Sequence, residues 1–189
     1  MKRFDAYTII AEPLKDELFV TGSFSRAQWE FYAIKDRPTN FYVYHSMGMV
    51  SSVALGLALA RQESKVVAID GDGALLMNMG SLVTIANEGP QNLILIVIDN
   101  ECYETTGGQP TATAGVTNLD LVAKGAGFEY VTKVTKPEEL KNALNNALQS
   151  NDLHLILVKV EKGNADVPEC KLDPIEITHR FRRSLSLPI

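Results

Sequence analysis

Short apolar runs alternate along this chain with stretches whose apolar residues recur at helical spacing. Residues 3–12 have helical character, and LFVTG at 18–22 is an apolar, β-branched run of the kind that forms a strand. SRAQWEFYAI at 25–34 predicts a second helix with Ser25 as its N-cap, and the aromatic FYVYH at 41–45 predicts a strand. From Ser46 the period changes: Met47, Val50, Ala54, Leu57, Ala58 and Arg61 share one helical spacing. The small residues Ser51, Ser52, Ala54, Gly56, Ala58 and Ala60 predict that this helix is packed closely on several sides. VVAID at 66–70 and LILIVID at 93–99 are continuously apolar, as strands of a parallel sheet covered on both faces should be. Between them Leu82, Ile85 and Ala86 mark a helix that Gly89-Pro90 stops.

A loop over 100–118 leads to a short helix marked by Leu119, Val122 and Ala123, and then to a strand at YVTKV, 130–134. TKPE at 135–138 reads as a capping box with Pro137 in the first turn, opening a helix that runs to about Ser150. HLILVKV at 154–160 predicts a last central strand, and DPIE at 173–176 opens a terminal helix carrying the basic run HRFRR. Such alternation predicts an α/β fold: a doubly wound parallel sheet with helices on both faces and right-handed crossovers. Without an internal repeat or low-complexity linker, residues 1–189 are expected to form a single domain.

Composition agrees: 46% hydrophobic and 22% charged residues over 189 positions suit a globular chain with a proper core. A net charge of −5 argues against a nucleic-acid or anionic-membrane binder, which would carry a basic face. Cys102 and Cys170 form no metal or disulfide pattern and are too few to ligate an iron–sulfur cluster. The opening MKRFDAYTIIAEPLKDEL mixes charges unlike a signal peptide, and no apolar run approaches the roughly 18 residues of a membrane span. A cytoplasmic location is the expectation.

The candidate chemistry lies where two apolar strands stop. VVAID delivers Gly71-Asp72-Gly73-Ala74, and LILIVID delivers Asn100-Glu101-Cys102. Ligands of an open parallel sheet bind beyond the C-terminal ends of its strands. If these strands are neighbours, Asp72 and Asn100 reach the same rim. A carboxylate, an amide oxygen and backbone carbonyls form an all-oxygen set that suits Mg²⁺, which commonly keeps phosphate in its other positions. Gly71 and Gly73 let backbone approach a phosphate, and the amides around Gly73-Ala74 can donate to it. Alone, Gly-Asp-Gly is common turn chemistry. The pair says more, because the twenty-five residues from 74 to 98 are the length of one helix, one turn and one strand.

GDG followed at this interval by a pair ending in Asn resembles the signature of the thiamine-diphosphate enzymes, in their diphosphate-binding domain, over essentially the whole chain. The resemblance implies that Asp72, the Asn100 side chain and the Cys102 carbonyl hold Mg²⁺, with Gly71, Gly73, Ala74 and Tyr103 beside the diphosphate. The family has Asn-Asn where this chain has Asp99-Asn100, so the ligand position is kept and its neighbour is changed. HSMGMVSSVALGLALA at 45–60 resembles the segment that cradles the aminopyrimidine. By that likeness Met47 is the apolar wedge that bends the cofactor, the His45 carbonyl accepts from its amino group, and Ser46 lies beside them. Read without the resemblance, Met47 is helix core and His45 the end of a strand.

Within the family the chain resembles most the β subunits of sulfopyruvate decarboxylase and the matching half of phosphonopyruvate decarboxylase. HSMGMVSSVALGLALA, DGDGALLMNMGSLVTIA, TTGGQPT and DPIEITHRF carry that likeness. It implies decarboxylation of a small 2-oxo acid on thiamine diphosphate, releasing CO₂ and an aldehyde. It also implies an incomplete enzyme. The glutamate that activates the cofactor belongs to a separate pyrimidine-binding domain, so a partner α subunit must supply it in an α/β hetero-oligomer. Simple pyruvate decarboxylases carry a catalytic carboxylate six positions after the metal asparagine; that position is Thr106 here, with Glu104 two before it, and these are the candidate catalytic residues. Thr105, Thr106, Gln109 and Thr111 are candidate substrate contacts in a flexible loop 103–113 able to close over the site. No Arg or Lys is evident at the strand ends to read a second anionic group on the substrate. Two other functions stay open: the thiamine-binding β subunit of a 2-oxo-acid:ferredoxin oxidoreductase, and a non-catalytic phosphate- or nucleotide-binding module.

Overall fold

The computed structural model describes residues 1–22 and 26–187, so the predicted Ser25 cap lies outside the described residues. Helix α1 (Arg3–Ala11) precedes β1 (Leu18–Gly22), α2 (Arg26–Ile34), β2 (Asn40–Val43), α3 (Val50–Ala60) and β3 (Val66–Gly71). Then come α4 (Asp72–Leu76), α5 (Gly80–Glu88) and β4 (Leu93–Asp99), followed by a small hairpin of β5 (Cys102–Tyr103) and β6 (Gln109–Pro110). The chain ends with α6 (Leu119–Ala126), β7 (Tyr130–Val134), α7 (Pro137–Gln149), β8 (His154–Lys159) and α8 (Pro174–Ser184).

Six of these strands form one sheet in the order β2-β1-β3-β4-β8-β7, and every pairing in it is parallel. The run LILIVID explains how two cores form. Leu93, Leu95 and Val97 face the side covered by α3, α5 and α6; Ile94, Ile96 and Ile98 face the side covered by α1 and α7. With side chains alternating across a strand, burial on both faces demands apolar residues at every position. The sheet is doubly wound, as the alternation of elements predicts. No described helix is long and apolar enough to cross a membrane.

Several details differ from the sequence pattern. The strand read as FYVYH ends at Val43, because His45 takes a left-handed φ of 52° that no strand accommodates. The following helix begins at Val50, not Ser46, which leaves Met47 in a turn before it and 42% exposed. That helix is not enclosed either: Gly56, Leu59 and Ala60 form an open side. Helix α7 is capped by Glu139, whose carboxylate accepts from the Thr135 and Lys136 amides; Glu138 is not the residue that turns back. Arg180, in the basic run HRFRR, makes a two-point ion pair with Asp36, while Phe181 packs on Phe41 to seat α8 on β2.

His154 opens β8 at the sheet end away from the strand termini that matter below. Its ring is within 2.6 Å of the Ser150 hydroxyl and beside Tyr130. Burial pushes its pKa below 6.5, with Lys65 adding to the effect and Asp152 opposing it. The fold therefore favours the neutral ring, a contribution present above about pH 6.5 and lost as pH falls through the lower folded value. His154→Gln should flatten that part of the profile. Urea unfolding at about pH 7.5 and about pH 5.5 is expected to show a smaller drop for the variant than for the parent chain.

Candidate functional site

The β3–β4 register sets Gly71 opposite Ile98, so the residues that follow each strand emerge side by side. From β3 the chain turns directly into α4, whose first residue is Asp72; from β4 it passes through Asp99 and Asn100 into the hairpin. Both Asp72 and Asn100 are nearly buried, at 3% and 8% exposed. They flank a cavity of about 310 Å³ beyond the ends of β1, β3 and β4, at the point where the winding of the sheet reverses. Gly71, Gly73 and Ala74 line it on the β3 side, Cys102 and Tyr103 on the β4 side, and His45 and Met47 at the mouth.

Glycine is needed here for space. A Cβ on Gly73 would stand 2.4 Å from the Tyr103 ring, whereas one on Gly71 would meet nothing within 4 Å. The first therefore permits the hairpin to close on α4, and the second leaves backbone bare beside the cavity. The hairpin pairs Cys102 with Pro110 and Tyr103 with Gln109, with Gly107 and Gly108 at its tip in left-handed conformations. It is an ordered structure in place of the open loop predicted from sequence, because glycines allow the chain to reverse tightly.

That reversal brings in residues the sequence left distant. Thr111 donates to Asp72 Oδ2 at 2.6 Å, and Thr113 lies 3.1 Å from the same oxygen and 2.8 Å from Asp99 Oδ1. Asp99 Oδ2 accepts from Lys159 at 2.9 Å, and Lys159 also reaches Glu101 at 2.5 Å. Burial opposes the Lys159 charge, but the Glu101 and Asp99 carboxylates outweigh it and hold its pKa above the ordinary lysine value. At Asp72, burial raises the carboxyl pKa; the Thr111 hydroxyl works against this and the Asp99 charge adds to it. Burial also pushes Asp70 up to about 7, opposed by the Gly71 amide, and its Oδ2 is buried without a hydrogen-bond partner. Asn100 Oδ1 accepts from the Cys102 amide at 3.1 Å.

A second charge cluster closes another wall. Arg3 bonds Glu30 through two nitrogens at 3.0 and 2.8 Å, Glu104 at 2.6 Å and Asn164 at 2.7 Å. Glu104 also accepts from the Gly163 amide. Its carboxylate is thus committed to joining α1, the segment after β4 and the segment after β8.

The structure gathers His45, Met47, Gly71, Asp72, Gly73, Ala74, Asn100, Cys102, Tyr103, Glu104 and Thr106 around the one cavity. Ser46 does not line it; its hydroxyl donates to the Tyr44 carbonyl. Thr105 lines the cavity, while Gln109 is turned to Thr106. Thr111, expected to meet substrate, is instead buried against Asp72, because the hairpin folds it inward. The expectation of no cation at the strand ends is also corrected: Lys159 ends β8 and Arg3 lines the cavity. Lys159 follows an apolar strand as Asp72 does, and that placement was its only signal in the sequence; Arg3 had none.

Among the described residues no three His, Cys, Asp or Glu side chains converge as a metal site. A hard cation would be held by Asp72 and the Asn100 amide, with backbone and ligand oxygens completing the shell. The oxygen donors, the bare Gly71 backbone and the adjoining cavity fit a metal-bridged diphosphate.

Residues 21–158 match the family described as "Thiamine pyrophosphate enzyme, C-terminal TPP binding domain". The sulfopyruvate decarboxylase subunit beta of Methanothermobacter thermautotrophicus is 44% identical over 185 residues, covering 96% of this chain and 94% of the relative. The sulfopyruvate decarboxylase of Methanosarcina acetivorans is 40% identical over 187 residues; the match covers 99% of this chain and 48% of that protein, so the chain spans about half of it. The benzoylformate decarboxylase of Polynucleobacter necessarius shares the fold with a TM-score of 0.71 at 20% identity, over 87% of this chain and 34% of that one.

Removing the cation of the charge cluster tests its weight. Arg3→Met leaves Glu30, which is fully buried, with the Ala165 amide but no cation, and should cost about 3–5 kcal/mol in urea unfolding. Arg3→Met with Glu30→Met should recover most of that loss.

Proposed function

The chain belongs to the thiamine pyrophosphate enzymes, as their C-terminal TPP-binding domain, and on that basis we propose that it is the β subunit of a 2-oxo-acid decarboxylase of the sulfopyruvate type. Residues 1–189 act as one diphosphate-binding domain, and a pyrimidine-domain α subunit completes the enzyme. The observation that carries the reading is the pairing of Asp72 with Asn100 across one cavity that Met47 and His45 also line. The near full-length match to a sulfopyruvate decarboxylase β subunit supports the substrate class.

Asp72, the Asn100 amide and the Cys102 carbonyl would hold Mg²⁺, and Gly71, Gly73 and Ala74 would lie along the diphosphate. His45 and Met47 would receive the aminopyrimidine and the bend between the rings. When bound, the cofactor supplies the electron sink for loss of CO₂; the protein supplies orientation and electrostatics. Glu104 is occupied with Arg3 and Asp72 with the threonines, which supports an activating glutamate from the partner. A rim of exposed Met47, Met49, Met77 and Met79 supports the same assembly. Gly48 sits against Met77 and Asn78, so the two methionine pairs adjoin. Exposed adaptable side chains of this kind suit a surface that another chain covers.

Co-expression with a pyrimidine-domain partner, followed by assay of CO₂ release from sulfopyruvate, phosphonopyruvate and pyruvate, tests the function. Sulfopyruvate is expected to be the preferred substrate, and preference for pyruvate would overturn the substrate class. Asp72→Ala is expected to abolish Mg²⁺-dependent thiamine-diphosphate binding and activity. Full activity of that variant at limiting Mg²⁺ would sink the metal assignment.

A further inference from the structure

We infer that Thr111, Thr113, Asp99 and Lys159 form a positioning chain that aims Asp72 at the cavity. The inference rests on the reading of Asp72 as a metal ligand, and extends it to Asp99 beside the metal asparagine and to three residues outside the motif.

The two hydroxyls have one proton each. The shortest contact of Thr111 is to Asp72 Oδ2, at 2.6 Å. Thr113 sits 2.8 Å from Thr111 and shares its one proton between Asp99 Oδ1 at 2.8 Å and Asp72 Oδ2 at 3.1 Å. Both threonines are buried, at 5% and 8% exposed, so water does not substitute for them. Asp99 is held in turn by the Lys159 ammonium on its other oxygen and by the Glu101 amide, 3.1 Å from Oδ1. Lys159 stands opposite Asp99 in the β4–β8 register, so the cation is fixed by the sheet. The chain thus runs from a sheet-anchored lysine to one oxygen of Asp72. It fixes the rotamer of a carboxylate whose geometry a Mg²⁺ ion would test strictly. Groups that hydrogen-bond a metal ligand typically change metal affinity by about 10–100-fold when removed.

The chain also accounts for the acid beside the metal asparagine. A buried carboxylate next to Asp72 would repel it, but the Lys159 charge neutralises Asp99 and leaves it as a firm acceptor for Thr113.

The test is Mn²⁺ titration of the full-length chain with saturating thiamine diphosphate, followed by EPR, alongside thermal unfolding of the metal-free protein. Thr111→Val keeps the volume but removes the donor; it is expected to weaken Mn²⁺ binding about tenfold, and Thr111→Ser to restore it to within about threefold. Lys159→Met is expected to weaken binding severalfold, and to add little in a Thr113→Val background if it acts through that hydroxyl. A folded Thr111→Val chain binding Mn²⁺ within twofold of the parent would overturn the inference, as would full additivity of Lys159→Met and Thr113→Val. Absence of Mn²⁺ binding by the parent chain would instead strike the metal reading itself. A purely structural role would lower the unfolding temperature without changing the affinity of the folded fraction.

Discussion

The parallel pairing of β3 with β4 is the constraint on which the candidate site depends. One register step relates Gly71 to Ile98, and from it follow the adjacency of Asp72 and Asn100 and the depth at which both lie. A slip of one residue would turn each strand's side chains to the opposite face. With Ile94, Ile96 and Ile98 in one core and Leu95 and Val97 in the other, such a slip would disturb both cores at once. Strand sequence therefore protects site geometry: the same apolar run that drives burial also fixes where its polar end points. The position of Asp72 and Asn100 is held by the most buried part of the molecule, and not by the loops that follow them.

Beyond the strand ends, the problem changes from packing to charge. Asp70 and Asp99 are each buried within electrostatic reach of the buried Asp72, and bare carboxylates so placed would oppose folding. Each is handled differently. Asp99 has Lys159, Asp72 has the Thr111 hydroxyl and a share of the Thr113 proton, and Asp70 has one amide and a carboxyl driven toward its neutral form. The Arg3 cluster answers a separate question, how three distant segments are held at the cavity wall. Its two glutamates outnumber its arginine, so the amides of Gly163 and Ala165 share the work of satisfying them. Networks of this kind specify geometry more than they add stability.

Legibility in the sequence followed the physics. The strands VVAID and LILIVID and the spacing from Gly73 to Asp99 were readable because burial on both faces leaves a continuous apolar signature. Family resemblance extended that reading to His45 and Met47, which the cavity does gather. What escaped was non-local or conformational. The left-handed His45 ends a strand that aromatic propensity alone would continue. Thr111 and Thr113 looked like polar loop residues, since nothing in TTGGQPTAT announces that a hairpin folds them onto Asp72. Arg3 lies far from the site in sequence, and only the packing of α1 beside α2 carries it to Glu30 and Glu104.

The two ends of the cavity differ in how they are built, and the difference bears on assembly. The floor, from Gly71 to Cys102, is fixed by the sheet, by buried hydroxyls and by a lysine in register, all of them residues of this chain. The mouth is the turn before α3. There Asn78 donates to the Gly48 carbonyl at 2.8 Å, Gly48 takes a left-handed φ of 82°, and Met47 and Met49 face outward. A metal and a diphosphate demand fixed oxygens, which the floor offers. A flat organic ring held between two chains requires apolar surface that can adjust to both, and methionine has that property. The division between a charge-locked floor and an adaptable mouth is what a domain should show if it anchors one end of its ligand alone and shares the other.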